Sequence, residues 1–418
     1  MSYGPNFIPY QTLEIARLLH NLATKNTNES AFYKDIHRML FSTLMRAVYG
    51  RSIPLPSYAW DVKPYWIQYV NDWSLWKGDP PAESLQILPK IESTTIHSVV
   101  LESGDFMRSK IVVEADISRK DLAPLVQRHE VDGIPLCTPS VYADMALTLG
   151  TYLLKQYKSD LGDMLVDVSD MTISKALILN KQANKQLVQV HTEADSSSGL
   201  VSMKFMSFNN HQKLQEHSRC IIHYTDRELQ KKLQERAPEI RMKISGLRDG
   251  VASGRTARYN RVMVHRAIRP LARFHNDYRA IGEIVLSSDT LEASSILSFG
   301  SVKRDGDFHT HPAIIDSLTQ ACGFTINCND NTDLDVEIFM NHGWGSLQLF
   351  EPINFEKVYT TYSRMESGPD KLWRGDAIIF EGDRVVAHFG QTAIQGVPWR
   401  MLKVILSLES GKKSQGGN

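Results

Sequence analysis

Two long apolar stretches, each set among strand-like runs, constrain most what this chain can become. The first, TPSVYADMALTLGTYLL (residues 138–154), places Val141, Tyr142, Met145, Ala146, Leu149, Tyr152 and Leu153 on one helical face. Thr138 suits the cap of such a helix and Pro139 its first position. The second, HPAIIDSLTQACGFTIN (311–327), reads as a helix with Pro312 at its start. Around the first lie TTIHSVVLE, KIVVEADI, MLVDVSDMTI, QLVQVHTEA, LVSMKFMSF and RCIIHYTD, several of them alternating. IGEIVLSS and EASSILSFG precede the second; DVEIFMNHGW, KVYTTYSRME, DAIIFEG and RVVAHFGQTAI follow it. Each half is strands, one buried helix, then strands, with no residue-level repeat. An antiparallel sheet can bury one face under one helix. Done twice, that is an α+β double hot-dog.

At 418 residues the chain exceeds the usual size of one core. Residues 1–50 are expected as a helical extension, from TLEIARLLHNLATK and AFYKDIHRMLFSTLMRAVYG with Gly50 as the stop. Residues 51–92 join prolines to seven aromatics, Tyr58, Trp60, Tyr65, Trp66, Tyr69, Trp73 and Trp76. Disordered segments are poor in aromatics, so this reads as a strap extended across a neighbouring surface. The first hot-dog is expected at 93–226, a solvated helical connector at 227–250, the second hot-dog at 251–402 and a flexible tail at 403–418.

Lys plus Arg and Asp plus Glu both total 47, which leaves no net field for nucleic acid or an acidic membrane. No apolar run approaches a membrane span, and the N-terminus shows no signal pattern. Cys137, Cys220, Cys322 and Cys328 lie far apart, against a disulfide framework or zinc cluster. The expectation is a neutral, reduced, cytoplasmic protein.

Two segments could carry chemistry. In RHEVDGIPLCTPSVYADMALTLG (128–150), His129 sits in a loop ahead of the first helix, with Gly133, Pro135 and Pro139 close behind. Such residues fix a rigid turn and leave room for a ligand, and imidazole is a natural base at neutral pH. A satisfied loop or core histidine fits the same residues. In the second segment Asp316, Gln320 and Gly323 share one helical face among Ile314, Ile315, Leu318 and Cys322. A carboxyl in apolar company is driven toward its protonated form, which suits an acid, and Gln320 could orient it. A solvent-facing Asp near a helix start is the bland alternative. Cys137 is read as a small buried hydrophobe, not a thiol nucleophile. His309, His311 and His342 lack a metal-site spacing, and GVASG is no phosphate loop.

The segments RHEVDGIPLCTPSVYAD, HPAIIDSLTQ and FMNHGW (339–344) together resemble the product template domain of fungal non-reducing iterative polyketide synthases. PLPSYAWDVKPYWIQYVNDWSLWKGDPP resembles the linker ahead of that domain, and the likeness covers about residues 52–405. Related dehydratases carry HxxxGxxxxP; here Pro139 falls one residue later after His129 and Gly133, which favours product template over dehydratase. The resemblance implies a double hot-dog whose halves contribute His129 as proton acceptor and Asp316 as proton donor. It implies pocket residues Gln320, Asn341, Gly133, Pro139 and Thr319, and no metal or bound cofactor. The substrate would be a poly-β-keto thioester on the phosphopantetheine of an acyl carrier protein. Partners would be that carrier and the acyltransferase, ketosynthase and thioesterase of the synthase, with a homodimer also implied.

That family's chemistry is aldol cyclisation with dehydration, and pocket shape sets regiochemistry. YVNDWSLWKGDPP and SGRTARYNR…IRPLARFHNDYR are most similar to synthases of the dihydroxynaphthalene-melanin group, implying first closure between C2 and C7. A β-hydroxyacyl dehydratase of a reducing synthase and a non-catalytic docking module are the competing readings.

Overall fold

In a computed structural model, the described residues are 38, 91, 93–104, 108–157, 163–180, 183–195, 199–208 and 213–410. The chain divides into two compact units, Met1–Ser84 and Leu85–Asn418, and all described residues except Arg38 belong to the second. The expected helical extension and aromatic strap therefore lie outside the described residues, apart from Arg38 and Ile91.

The first half runs β1 (Ser98–Gly104), β2 (Arg108–Asp116), α1 (Ala123–Gln127), β3 (His129–Val131), β4 (Ile134–Pro135), α2 (Pro139–Tyr157), β5 (Leu165–Ile173), β6 (Leu187–Asp195), β7 (Leu200–Phe208) and β8 (Leu214–Thr225). Two helices follow, α3 (Glu228–Glu235) and α4 (Ala237–Gly250). The second half begins with β9 (Ala257–Asn260), α5 (Arg261–Ala267), β10 (Arg273–Phe274), β11 (Ile281–Ser287) and β12 (Glu292–Ser298). Then come α6 (Pro312–Asn327), β13 (Glu337–Trp344), β14 (Ser346–Leu349), β15 (Val358–Ser367), β16 (Trp373–Glu381), β17 (Arg384–Pro398) and α7 (Trp399–Ser410).

Fourteen of these strands form one antiparallel sheet in the order β1-β2-β6-β7-β8-β5-β13-β17-β16-β15-β12-β11-β9, with β14 bridging β17 and β5, and β10-β3-β4 form a second sheet of three strands. α2 packs on β5, β7 and β8; α6 packs on β11–β13 and β15–β17; the two helices touch each other. Their apolar faces are why: Val141, Tyr142, Met145, Ala146 and Leu149 of α2 and Ile314, Ile315, Leu318 and Cys322 of α6 are buried in one continuous core. The two hot-dogs thus share a sheet and a core. At their junction Gly343, at φ +141°, opposes Thr172 of β5, and a Cβ there would meet Met171 O at 1.8 Å. Only glycine fits so close an approach.

A second link is polar. Asp144 of α2 is 0% exposed; it accepts from Thr95 Oγ1 at 2.6 Å and from the Thr310 N–H, just ahead of α6, at 2.8 Å.

Two expectations are corrected. α3 and α4 are not simply solvated: Leu233, Ala237, Ile240 and Leu247 form a second apolar cluster with Val285, Tyr362, Ile378 and Phe380. Charge density masked a narrow apolar stripe at helical spacing. The tail expected from 403 is helical through Ser410, because Leu402 and Leu406 are buried in the main core; residues 411–418 lie outside the described set.

Candidate active site

Asp132 and Gly133, at φ 50° and 72°, link β3 to β4 in the left-handed geometry that a two-residue hairpin requires. Gly133 is exposed and nothing lies within 4 Å of the position its Cβ would take. Gly133 makes the turn, and the space beside it is open. The hairpin presents His129, and its other edge is completed from the second half: Phe274 of β10 pairs with His129 and Arg273 with Glu130. Arg128 extends the seam by an ion pair to buried Asp277, which also accepts the Lys303 N–H at 3.0 Å. His275 N donates to Arg128 O at 3.0 Å.

The imidazole lies among aromatics, with the Phe274 ring centroid at 5.1 Å and Tyr278 edge-on at 5.9 Å. Burial pushes its pKa down to about 4, and Nδ1 is buried with no hydrogen-bond partner among the described residues. Tyr278 closes a 3-10 turn, Asn276–Tyr278, and its hydroxyl donates to Leu125 O at 3.1 Å. Its backbone carbonyl accepts from Gln320 Nε2 at 3.0 Å, and the same amide donates to Asp316 Oδ2 at 2.7 Å. Burial pushes the Asp316 carboxyl up to about 6, against the opposing pull of the Gln320 hydrogen bond. Gln320 Oε1 is also buried without a partner.

His129, Asp316 and Gln320 are thus gathered around Tyr278: its ring meets the imidazole, and its carbonyl holds the amide that holds the carboxyl. Sequence reading missed Tyr278, Phe274 and the Arg128–Asp277 pair. Their only signal is the cluster Phe274-His-Asn-Asp-Tyr278, too short to show a period. An imidazole kept neutral and a carboxyl kept protonated coexist between pH about 4 and about 6, so the pair can accept and donate a proton at once.

The other expected site residues have local structural duties. Pro139 opens α2, and Thr138, expected to cap it, bonds Ser140 Oγ at 2.6 Å. Thr319 Oγ1 donates to Asp316 O at 3.2 Å. Asn341 is exposed, and its Oδ1 accepts the Gly343 N–H at 2.8 Å. His311 caps α6, accepting from Ala313 N at 3.2 Å. Burial pushes the Cys137 thiol up to about 12, which leaves it inert. Among the described residues, no group of three or more His, Cys, Asp or Glu is placed to hold a metal ion.

Residues 97–208 match the family model described as polyketide synthase dehydratase domain. Over 87% of the chain, the sequence is 66% identical to the non-reducing polyketide synthase pgmA of Aspergillus terreus, and 65% identical to fsr1 of Gibberella fujikuroi. The chain spans about a sixth of the length of each, 16%. Among solved structures, the dehydratase domain of PpsC from Mycobacterium tuberculosis aligns with a TM-score of 0.56 at 11% identity, over 73% of this chain and 98% of that one. That likeness concerns the fold. The chain has a double hot-dog fold and is similar over most of its length to one segment of fungal non-reducing polyketide synthases.

Proposed function

We propose that this domain acts as a product template, directing regioselective aldol cyclisation and dehydration of a carrier-bound poly-β-keto chain. The observation that carries this reading is the convergence of His129 and Asp316, one from each half, on Tyr278 and Gln320.

Methylenes between two carbonyls are acidic enough for neutral His129 to take a proton. The enolate carbon attacks a ketone carbon of the same chain, a C–C bond forms, and the new alkoxide takes its proton from Asp316. Proton exchange returns both groups to their starting forms. Dehydration repeats the pattern: His129 removes the α-proton and Asp316 protonates the departing hydroxyl, which leaves as water. Holding the reacting carbons about 3–3.5 Å apart sets both rate and regiochemistry. First closure between C2 and C7 is the part of this reading that rests on the resemblance of YVNDWSLWKGDPP and SGRTARYNR…IRPLARFHNDYR to melanin-group synthases. No metal or redox cofactor enters this sequence. The synthase's carrier, ketosynthase, acyltransferase and thioesterase are the partners it requires.

In a reconstituted synthase, His129→Ala or Asp316→Ala should divert product to spontaneously formed pyrones. An unchanged aromatic product from both would refute the assignment. The dehydratase family match favours one alternative, dehydration of a simple β-hydroxyacyl thioester. Enoyl thioester formation without cyclisation would select it. A docking scaffold alone gives no reason for the raised Asp316 carboxyl to share Tyr278 and Gln320 with the imidazole.

A further inference from the structure

Residues 255–279 carry seven arginines, Arg255, Arg258, Arg261, Arg266, Arg269, Arg273 and Arg279, against one acid, Asp277. Asp277 is buried and already engaged by Arg128 and the Lys303 N–H. In a chain of zero net charge this is a strong local concentration. All but Arg279 are exposed. Arg258 pairs with Glu283, and Arg273 reaches Glu130 at 4.0 Å. Arg261, Arg266 and Arg269 have no ion pair among the described residues.

Arg261 and Arg266 lie on α5 and Arg269 just past its end, and the helix also exposes Val262 (63%) and Met263 (45%). A cationic rim around bare apolar side chains suits a transient interface: charge steers the partner and the apolar centre holds it. The helix is also coupled to the candidate site. His265 of α5 faces Phe274 with centroids 6.4 Å apart, and Phe274 lies 5.1 Å from His129.

We propose that the α5 face, centred on Arg261, Val262, Met263, Arg266 and Arg269, is the docking surface for an acidic carrier domain bearing its acyl chain on a phosphate-linked arm. This rests on the reading given under Proposed function. Charge complementarity selects the occupant: uncompensated guanidiniums attract carboxylates and a phosphodiester. Residues 51–92 of the chain offer no such complement in charge, with five acidic and four basic residues.

The test compares the full chain with a triple variant, Arg261→Glu, Arg266→Glu, Arg269→Glu, and a charge-keeping control, Arg261→Lys, Arg266→Lys, Arg269→Lys. Binding of the synthase's isolated carrier domain is titrated at low and high salt. Cyclisation is followed with the acyl chain on that carrier and on a small free thioester. The Glu variant should bind the carrier at least about tenfold more weakly with little salt dependence, and should lose turnover only of the carrier-borne chain. The Lys variant should stay close to wild type. Unchanged carrier affinity in the Glu variant, equal loss on both substrates, or no carrier binding by the wild type would overturn the proposal. The binding titration needs no chemistry, so a failed cyclase assignment would leave its outcome readable on its own.

Discussion

Asp144→Asn tests the buried link between the halves. Burial, the largest influence, raises the Asp144 carboxyl from an ordinary 3.8 to about 7, although Thr95 and the Thr310 N–H both favour its ionised form. Between those pH values the folded state keeps a proton that the unfolded state releases. Stability from this group is therefore full below pH 3.8 and falls as pH rises to about 7. At about 1.4 kcal/mol per pH unit the loss reaches about 4 kcal/mol. Asparagine can accept from Thr310 N and donate to Thr95 Oγ1, whose own proton can turn to Ser93 Oγ, 3.2 Å away. Urea denaturation at pH 4 through 8 should then show the Asn variant gaining on wild type by about 4 kcal/mol, most of it below pH 7. Histidine titrations cancel in the difference. A difference that stays flat with pH would refute the idea that this carboxyl is buried and protonated in the fold.

Turnover should be highest between the two site pKa values, with an acid limb near 4 from the imidazole and an alkaline limb near 6 from the carboxyl; a single limb in the kcat/KM profile would show that only one group titrates. Gln320→Leu removes the hydrogen bond that favours ionised Asp316, so the alkaline limb should move to higher pH while the fold survives, as circular dichroism would verify. Gly343→Ala drives a Cβ into Met171 O and should cost at least about 3 kcal/mol in denaturation midpoint terms, since backbone on both sides must shift.

The elements with a clear period were legible. Both long helices lie where their apolar spacing places them, Pro139–Tyr157 and Pro312–Asn327, and the strand-like runs became β1, β2, β5 to β8, β11 to β13 and β15 to β17. What could not be read were contacts between residues distant in sequence. β10 is two residues long and exists only because His129 and Glu130 offer an open edge. Tyr278 matters through its backbone carbonyl, which sequence cannot mark. The continuous sheet depends on Gly343 approaching β5, a matter of space and not propensity. α7 was missed although Trp399, Leu402 and Leu406 carry helical spacing, because the polar residues that follow read as a flexible tail.

The borrowed edge strand beside His129 makes the two halves inseparable partners. A gene cut between α4 and β9 would yield an amino-terminal fragment whose imidazole hangs from an unpaired two-stranded hairpin, and a carboxyl-terminal fragment holding an acid with nothing to work against. Mixing the fragments would have to rebuild that seam before any activity returned, so the domain behaves as an obligate heterodimer whose subunits happen to be covalently joined.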